Sequence, residues 1–381
     1  MSTKKKYLPS KRSFIDSFLV MDVLEKSNSL ETKGRKVYHL ELGEPLPRTP
    51  KKVLIQAKNL LKKQIPGYTP SNGIFELREA ISKYYIKNNI VVNENNVFIT
   101  VGSSGAFLLT FLACFDPGDA VVIFSPSYPA YRNILKSLGI KVIEIYNFQQ
   151  FIDIHKKKKI KGLIVSSPTN PTGKVFDYDE LKIIYDYCDK SGITLISDEI
   201  YHGIEFGKKS YSLRSFGENT IVINSFSKYF CMPGWRLGWV IIPNTLKENF
   251  LKLAQNLFIS SGNIAQYAAV KVFDCIDQLN QVVNIYEKNK NYVFDVLKKT
   301  AWNSLSESDG AFYTYIDISE FSQDSFIVVK KILDETGVAL TPGTDFDKLN
   351  GRNFIRLSFS GEHQLVKEAL DILSTWIKTN Y

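Results

Sequence analysis

A chain of 381 residues, 44% hydrophobic and 13% aromatic, has enough apolar mass for two domains, one large and one small. Its longest apolar runs fall far short of a bilayer span, and Asp16 and Asp22 interrupt the stretch Phe14–Leu24 behind the basic start. Neither a membrane partner nor a secretory leader is expected. The net charge of +9 raises nucleic acid as a partner, but the densest basic run, Lys156–Lys159, directly precedes an apolar strand pattern. No zinc-finger spacing or RRM-type aromatic motif accompanies it, so no nucleic-acid partner is expected; a basic surface also suits anionic substrates or a phosphorylated cofactor. Cys114, Cys188, Cys231 and Cys275 are scattered, with no C-x-x-C pair, and the four histidines have no ligand spacing. This implies a reduced, cytoplasmic protein without a metal site.

In chain order, apolar residues near helical spacing predict a helix over residues 13–34, stopped by Gly34. A strand over 37–42 ends at Gly43-Glu-Pro45, which reads as a plain turn or as a site of close backbone approach. Helices over 50–63 and 75–85 flank the loop Gly67-Tyr68-Thr-Pro-Ser-Asn-Gly73. Strands and helices then alternate. Strands are predicted at 96–101, 120–124, 141–145, 163–166, 193–201, 220–225 and 235–242, and helices at 106–115, 130–138 and 178–191. Apolar, β-branched strands separated by helices imply an α/β fold, a mostly parallel sheet with helices on both faces. After Pro243 the rhythm changes to a long helical region, 246–300, then strands at 311–316 and 353–358 with helices at 325–336 and 362–378. The expected organisation is a large cofactor-binding domain, 45–275, and a smaller α+β domain from 1–44 and 276–381.

In parallel sheets, ligands sit beyond the carboxyl ends of the strands, and the chemically able residues fall there. Lys228 follows the apolar run 220–225. Desolvation disfavours an ammonium, which frees an amine for an imine with an aldehyde. Gly102-Ser103-Ser104-Gly105 opens a helix whose free N–H groups suit a phosphate, without the Gly-Lys-Ser/Thr ending of a nucleotide loop. Asp198 ends an apolar strand and reads as a turn cap or as the partner of a buried ring cation. Asn170 is turn chemistry or a donor to a ligand oxygen; Tyr128 is packing or a stacking surface. Arg356, on a late strand, suits a bidentate grip on a carboxylate. An aldehyde-accepting lysine, a phosphate nest, a carboxylate for a pyridine nitrogen and an aromatic for its face describe pyridoxal 5′-phosphate.

From about Ser13 to Trp376 the chain resembles the class I/II pyridoxal-phosphate aminotransferases, the fold-type I, aspartate aminotransferase-like family. The motifs are Leu42-Gly-Glu-Pro45, Gly67–Gly73 with Leu77-Arg-Glu-Ala-Ile81, Asn170-Pro-Thr-Gly173, Ser197-Asp-Glu-Ile-Tyr201, Ser227-Lys228 through Gly234-Trp-Arg236-Leu-Gly238, and Arg356-Leu-Ser358. The resemblance implies that Lys228 carries the cofactor and moves the substrate's α-proton. It implies Asp198 at the pyridinium, Tyr201 and Asn170 at the ring's phenolic oxygen, and Tyr128 stacked on the ring. Ser103, Ser104, Ser225 and Arg236 would cup the phosphate, with Tyr68 reaching the phosphate of a neighbouring subunit in a homodimer with shared sites. Arg356 would clamp the α-carboxylate, with Gly43 beside the substrate.

The implied activity is ping-pong transfer of an amino group from an amino acid to a 2-oxo acid; a carbon–sulfur β-lyase on the same scaffold is the alternative. A DNA-binding regulator is not expected, because the stretch ahead of Gly43 is too short for a winged-helix module. A bacterial aspartate-specific branch of the family carries a lysine where this chain has Ser104. The donor, neutral, aromatic or aspartate, stays open on sequence.

Overall fold

The structure is a computed structural model that describes residues 7–63, 67–322 and 324–381. Beyond a short strand, β1 (Tyr38–His39), the frame is a seven-stranded sheet. Its strands are β2 (Val97–Thr100), β3 (Ala120–Phe124), β4 (Lys141–Ile145), β5 (Gly162–Ser166), β6 (Thr194–Asp198), β7 (Ile221–Ser225) and β8 (Gly238–Ile241). They lie in the order β2-β8-β7-β6-β5-β3-β4, and all neighbours are parallel except that β8 runs against β7 and β2. The expected α/β class is what forms.

Among the described residues twelve α-helices surround this sheet and a second layer. They are α1 (Leu19–Glu31), α2 (Lys51–Leu61), α3 (Phe75–Lys87), α4 (Gly102–Cys114), α5 (Pro129–Ser137), α6 (Phe148–His155), α7 (Tyr178–Ser191), α8 (Lys247–Leu257), α9 (Asn263–Ala269), α10 (Ile276–Leu297), α11 (Ser325–Thr336) and α12 (His363–Asn380). Alternation along each strand sends side chains to opposite faces. Ile221 and Ile223 join the core under α4, α5 and α8, while Val222 joins the core shared with α2, α3 and α10. Leu163 and Val165 face α6 and α7, and Ile164 faces the other way. β7 is buried along its whole length, as a central strand of a sheet covered on both faces must be.

The second layer is a three-stranded antiparallel sheet, β11 (Thr341–Pro342), β12 (Phe354–Ser358) and β9 (Tyr313–Asp317), with a parallel pair of β1 and β10 (Val338–Ala339). α11 and α12 pack against it, and α10 packs on α12. Among the described residues no helix is long and apolar enough to cross a membrane.

Three local differences from the sequence reading have physical causes. The first helix starts at Leu19, not at 13, because the N–H groups of its first turn bond to Asp345, far along the chain. The polar stretch after β4 holds α6, started by Asn147, whose side chain accepts from the Gln150 N–H at 3.0 Å. The strand expected from Trp235 begins only at Gly238, because Pro233–Trp235 is a 3₁₀ turn that ends with Arg236 in a left-handed conformation.

Register brings the strand ends together. Ser166 of β5 pairs with Asp198 of β6, and Asp198 pairs with Ile223 of β7. The loops that leave these ends face the second layer, and the candidate site lies between them.

Candidate active site

A cavity of about 170 Å³ opens beyond the carboxyl ends of β5, β6 and β7. Lys228 enters it from the turn after β7. That turn is set by Ser225, whose hydroxyl donates to the Leu237 carbonyl at 3.1 Å and to Ser227 Oγ at 2.8 Å, while the Ser227 N–H donates back to Ser225 Oγ at 3.1 Å. Lys228 Nζ donates to the Gly43 carbonyl at 2.5 Å. Burial pushes the Lys228 pKa below its ordinary value; Tyr313 opposes that shift and the Arg356 charge adds to it.

Asp198, 3% exposed, ends β6. Its carboxylate accepts from the Ile200 N–H at 3.1 Å and from the Tyr131 hydroxyl. Burial raises its pKa to about 6 against the pull of both donors. The carboxylate therefore sits where a cationic partner would be strongly stabilising.

The start of α4 supplies a positively polarised corner of the cavity. Ser103 and Ser104 lie in its first turn and line the cavity with Arg236. Glycine is required at two points here. Gly102 has φ of +65°, and a Cβ on it would lie 2.6 Å from Arg236 Nη2; a Cβ on Gly238 would lie 2.7 Å from the Gly102 carbonyl carbon. Backbone and guanidinium converge where the positive end of the helix points.

The opposite wall comes from the second layer. Arg356, 2% exposed, projects from β12. Its Nη1 donates to Asn170 Oδ1 at 2.9 Å, and its Nη2 donates to the Glu41 carbonyl and to Thr341 Oγ1. Nε is buried with no hydrogen-bond partner among the described residues. The guanidinium lies 4.3 Å from the Tyr313 ring centre and 4.6 Å from that of Phe346, which fixes its plane. The Tyr201 and Tyr313 hydroxyls share a hydrogen bond of 3.0 Å. A Cβ on Gly43 would fall 1.7 Å from Tyr313 Oη, so residue 43 has no room for a side chain. Tyr128, at the start of α5, meets Phe18 and Tyr131 edge to face, at 5.8 Å and 5.5 Å.

Ten of the residues singled out on sequence thus line one cavity: Gly43, Ser103, Ser104, Tyr128, Asn170, Asp198, Tyr201, Lys228, Arg236 and Arg356. Ser225 does not line it; it is fully buried beneath and shapes the Lys228 turn. Tyr68 is 86% exposed and lies outside it. Sequence reasoning does not reach Tyr131, Ser166, Ser227, Tyr313 or the wall formed by Phe18, Val20 and Met21. Tyr131 carries a readable signal, since it follows Tyr128 by three residues and shares its helix face. Tyr313 carries none, because its place depends on β9 pairing with β12, over forty residues on. Among the described residues no three His, Cys, Asp or Glu side chains gather as a metal-binding group.

Comparison with known proteins agrees with this geometry. The family described as "Aminotransferase class I and II" matches residues 35–373. The valine–pyruvate aminotransferase of Mycobacterium tuberculosis is 39% identical over 379 residues, covering 96% of this chain and 97% of the relative. The (5-formylfuran-3-yl)methyl phosphate transaminase of Methanocaldococcus jannaschii is 37% identical, covering 95% and 97%. The crystal structure of an aminotransferase from Mycobacterium tuberculosis superposes with a TM-score of 0.93 at 37% identity, covering 98% of this chain and all of that one. The aspartate aminotransferase of Thermus thermophilus with maleate gives 0.89 at 26% identity, covering 97% and 99%. The chain belongs to the class I and II aminotransferases, and its activity is the transfer of an amino group between an amino acid and a 2-oxo acid.

Proposed function

We propose that the cavity holds pyridoxal 5′-phosphate, and that through it the chain moves an amino group from an L-amino acid with an uncharged side chain to a 2-oxo acid, in ping-pong order. The observation that carries this reading is a desolvated lysine amine and a desolvated carboxylate sharing one cavity with two guanidinium groups. The residues fit the cofactor. Asp198 lacks a strong cationic partner and a protonated ring nitrogen is one. Ser103, Ser104, Arg236 and the start of α4 match a phosphate, and the buried, unpaired Nε of Arg356 is a donor awaiting an acceptor.

When bound, the cofactor supplies an aldehyde carbon and a ring that draws electron density from the substrate's Cα. Lys228, whose burial disfavours the ammonium form, would hold the cofactor by its aldehyde and would take and return the α-proton. Asp198 would keep the ring nitrogen protonated, Tyr201 and Asn170 would hold the phenolic oxygen, and Tyr128 would cover the ring face. Arg356 and Asn170 orient the α-carboxylate, with the Gly43 backbone beside it.

Arg356→Gln is expected to raise the KM of every amino acid on the order of 10²-fold with a smaller loss in kcat, the size of a lost charged hydrogen-bonding partner. Tyr313→Phe removes the hydroxyl that orients Tyr201. It should move the pH midpoint of the lysine-bound cofactor's absorbance upward and lower kcat by less than about tenfold. A spectrophotometric pH titration reads the first effect.

The uncharged donor follows from the charges available. The charged residues lining the cavity are Asp198, Lys228, Arg236 and Arg356, and each is already engaged in this reading. The wall beside them, Phe18, Val20, Met21, Leu42 and Ile200, is apolar. The relative from Mycobacterium tuberculosis, named for valine and pyruvate, fits that wall. A panel of amino acids against pyruvate and 2-oxoglutarate tests the assignment. Aspartate as the preferred donor would overturn it, and pyruvate and ammonia released without an acceptor would favour the β-lyase.

We assign the two domains to 45–275 and to 1–44 with 276–381. In support, the seven-stranded sheet falls inside the first range and β1 and β9–β12 fall inside the second. The working state is proposed to be a homodimer with shared sites. Tyr68 is exposed, as are Leu54, Ile55 and Leu61 of α2 and Phe75 of α3, apolar side chains that a second copy would cover. The four free cysteines, three of them buried, suit the cytoplasm.

A further inference from the structure

The first turn of α1 has no cap of its own. Phe18 precedes it and offers no side-chain hydrogen bond to the free N–H groups. The cap comes from 326 residues away: the Leu19 N–H donates to Asp345 Oδ1 at 3.2 Å, and the Val20 N–H donates to Asp345 Oδ2 at 3.3 Å. Both oxygens of one buried carboxylate are spent on one helix start, where negative charge is favoured. Asp345 lies in the 3₁₀ turn Gly343–Asp345 that follows β11. Its carbonyl accepts from Arg132 Nη2 of α5 at 3.2 Å.

Three further ties hold the same segment. Asn133 Nδ2 of α5 donates to the Asp16 carbonyl at 3.2 Å, and Lys348 pairs with the Asp16 carboxylate at 3.2 Å. The Phe18 ring meets Tyr128 edge to face. The segment 16–21 is thus stitched to α5 beside the large sheet and to the turn after β11 in the second layer. Its side chains Phe18, Val20 and Met21 line the cavity that also holds Lys228 and Arg356.

We propose that Asp345 is a positioning residue for donor selectivity: its carboxylate clasps the start of α1 and so holds Phe18, Val20 and Met21 as the apolar wall against which the side chain of a large apolar amino donor packs. This rests on the reading of the cavity as the cofactor and substrate site. It adds that selectivity is set by a segment whose position is fixed from the opposite end of the chain. Alanine, with only a methyl group, reaches little of that wall. Losing the clasp therefore penalises large donors and spares small ones.

The test uses the full-length holoenzyme and compares kcat/KM for leucine, phenylalanine, alanine and aspartate with one common 2-oxo acid. Asp345→Ala is expected to lower kcat/KM for leucine and phenylalanine by roughly 10–100-fold, the scale of lost apolar contacts in a specificity pocket, and to change alanine by less than about threefold. Asp345→Asn, which keeps one acceptor oxygen, should fall between. Met21 is half exposed, so Met21→Arg tests the wall without burying a charge. It should raise the aspartate-to-leucine ratio at least about tenfold. A loss of equal size for all donors in Asp345→Ala would overturn the clasp, and an unchanged donor ratio in Met21→Arg would overturn the wall. The absorbance of the lysine-bound cofactor, followed in every variant, separates these outcomes from failure of the site reading, which would leave the wild type itself without that band.

Discussion

Lys228→Ala should bind pyridoxal 5′-phosphate without a covalent link and should lose transamination by at least about 10³-fold, a size typical of a removed general acid–base group. The geometry behind this is specific. The amine is buried, its pKa is lowered, and the turn that aims it is tied by Ser225 to Leu237 and Ser227 rather than left to loop chemistry. Removing the side chain leaves that turn intact, because none of these ties involves Lys228 beyond its contact with the Gly43 carbonyl. The protein should therefore fold, take up the cofactor through Arg236, the α4 start and Asp198, and stay colourless in the imine band. Borohydride should fix cofactor onto the peptide carrying residue 228 in the wild type and onto no peptide in the variant. Covalent label retained in Lys228→Ala would show that another amine carries the cofactor.

The difference between what was legible in the sequence and what was not follows from the range of the interactions. Lys228, Asp198 and Ser103–Ser104 are readable because each is defined by its own strand or helix: an apolar run ends, and the chemically able residue comes next. The mostly parallel sheet is readable for the same reason, since burial on both faces forces continuous apolar strands such as Ile221–Ser225. The start of α1 is not readable, because its cap is Asp345 and no local pattern announces a cap supplied by tertiary contact. Tyr313 is hidden likewise. Its hydroxyl reaches Tyr201 and its ring supports Arg356 only once β9 lies against β12. The bonds of the Ser225 hydroxyl to Leu237 and Ser227 are hidden as well, because Leu237 comes beside it only once the chain has turned back into β8.

Asp198→Asn is expected to move two properties in opposite directions. In the protein without cofactor, burial raises the Asp198 pKa from 3.8 to about 6. A carboxyl group raised in the folded state costs stability once the unfolded chain ionises it. The cost grows as pH rises from the unfolded value to about 6 and is constant above that. At 1.36 kcal/mol per unit it amounts to about 3 kcal/mol at neutral pH, which asparagine avoids: its Oδ1 still accepts from the Ile200 N–H, and its amide N–H can donate to the Tyr131 hydroxyl oxygen in place of the bond the carboxylate accepted. The cofactor-free variant should therefore unfold at a higher temperature than the cofactor-free wild type at pH 7, and the gap should close as pH falls toward 4.

With cofactor the sign reverses. On the proposed reading the ionised carboxylate holds the ring proton, so the variant should bind pyridoxal 5′-phosphate more weakly and turn over more slowly, by on the order of 10²–10³-fold, the effect of deleting one preorganised electrostatic partner. The wild-type-to-variant affinity ratio should rise about tenfold per pH unit below about 6 and level off above it, because only the wild type must release a proton from Asp198 before it can pair with the ring. The cofactor's own phosphate titrates equally in both proteins and cancels in the ratio. Calorimetric unfolding of the cofactor-free proteins and fluorescence titration with the cofactor measure the two arms. A variant that gains stability but binds and turns over like the wild type would leave Asp198 a costly buried acid with no role at the ring, and a pH-independent affinity ratio would show that shape, not charge, holds the cofactor at β6.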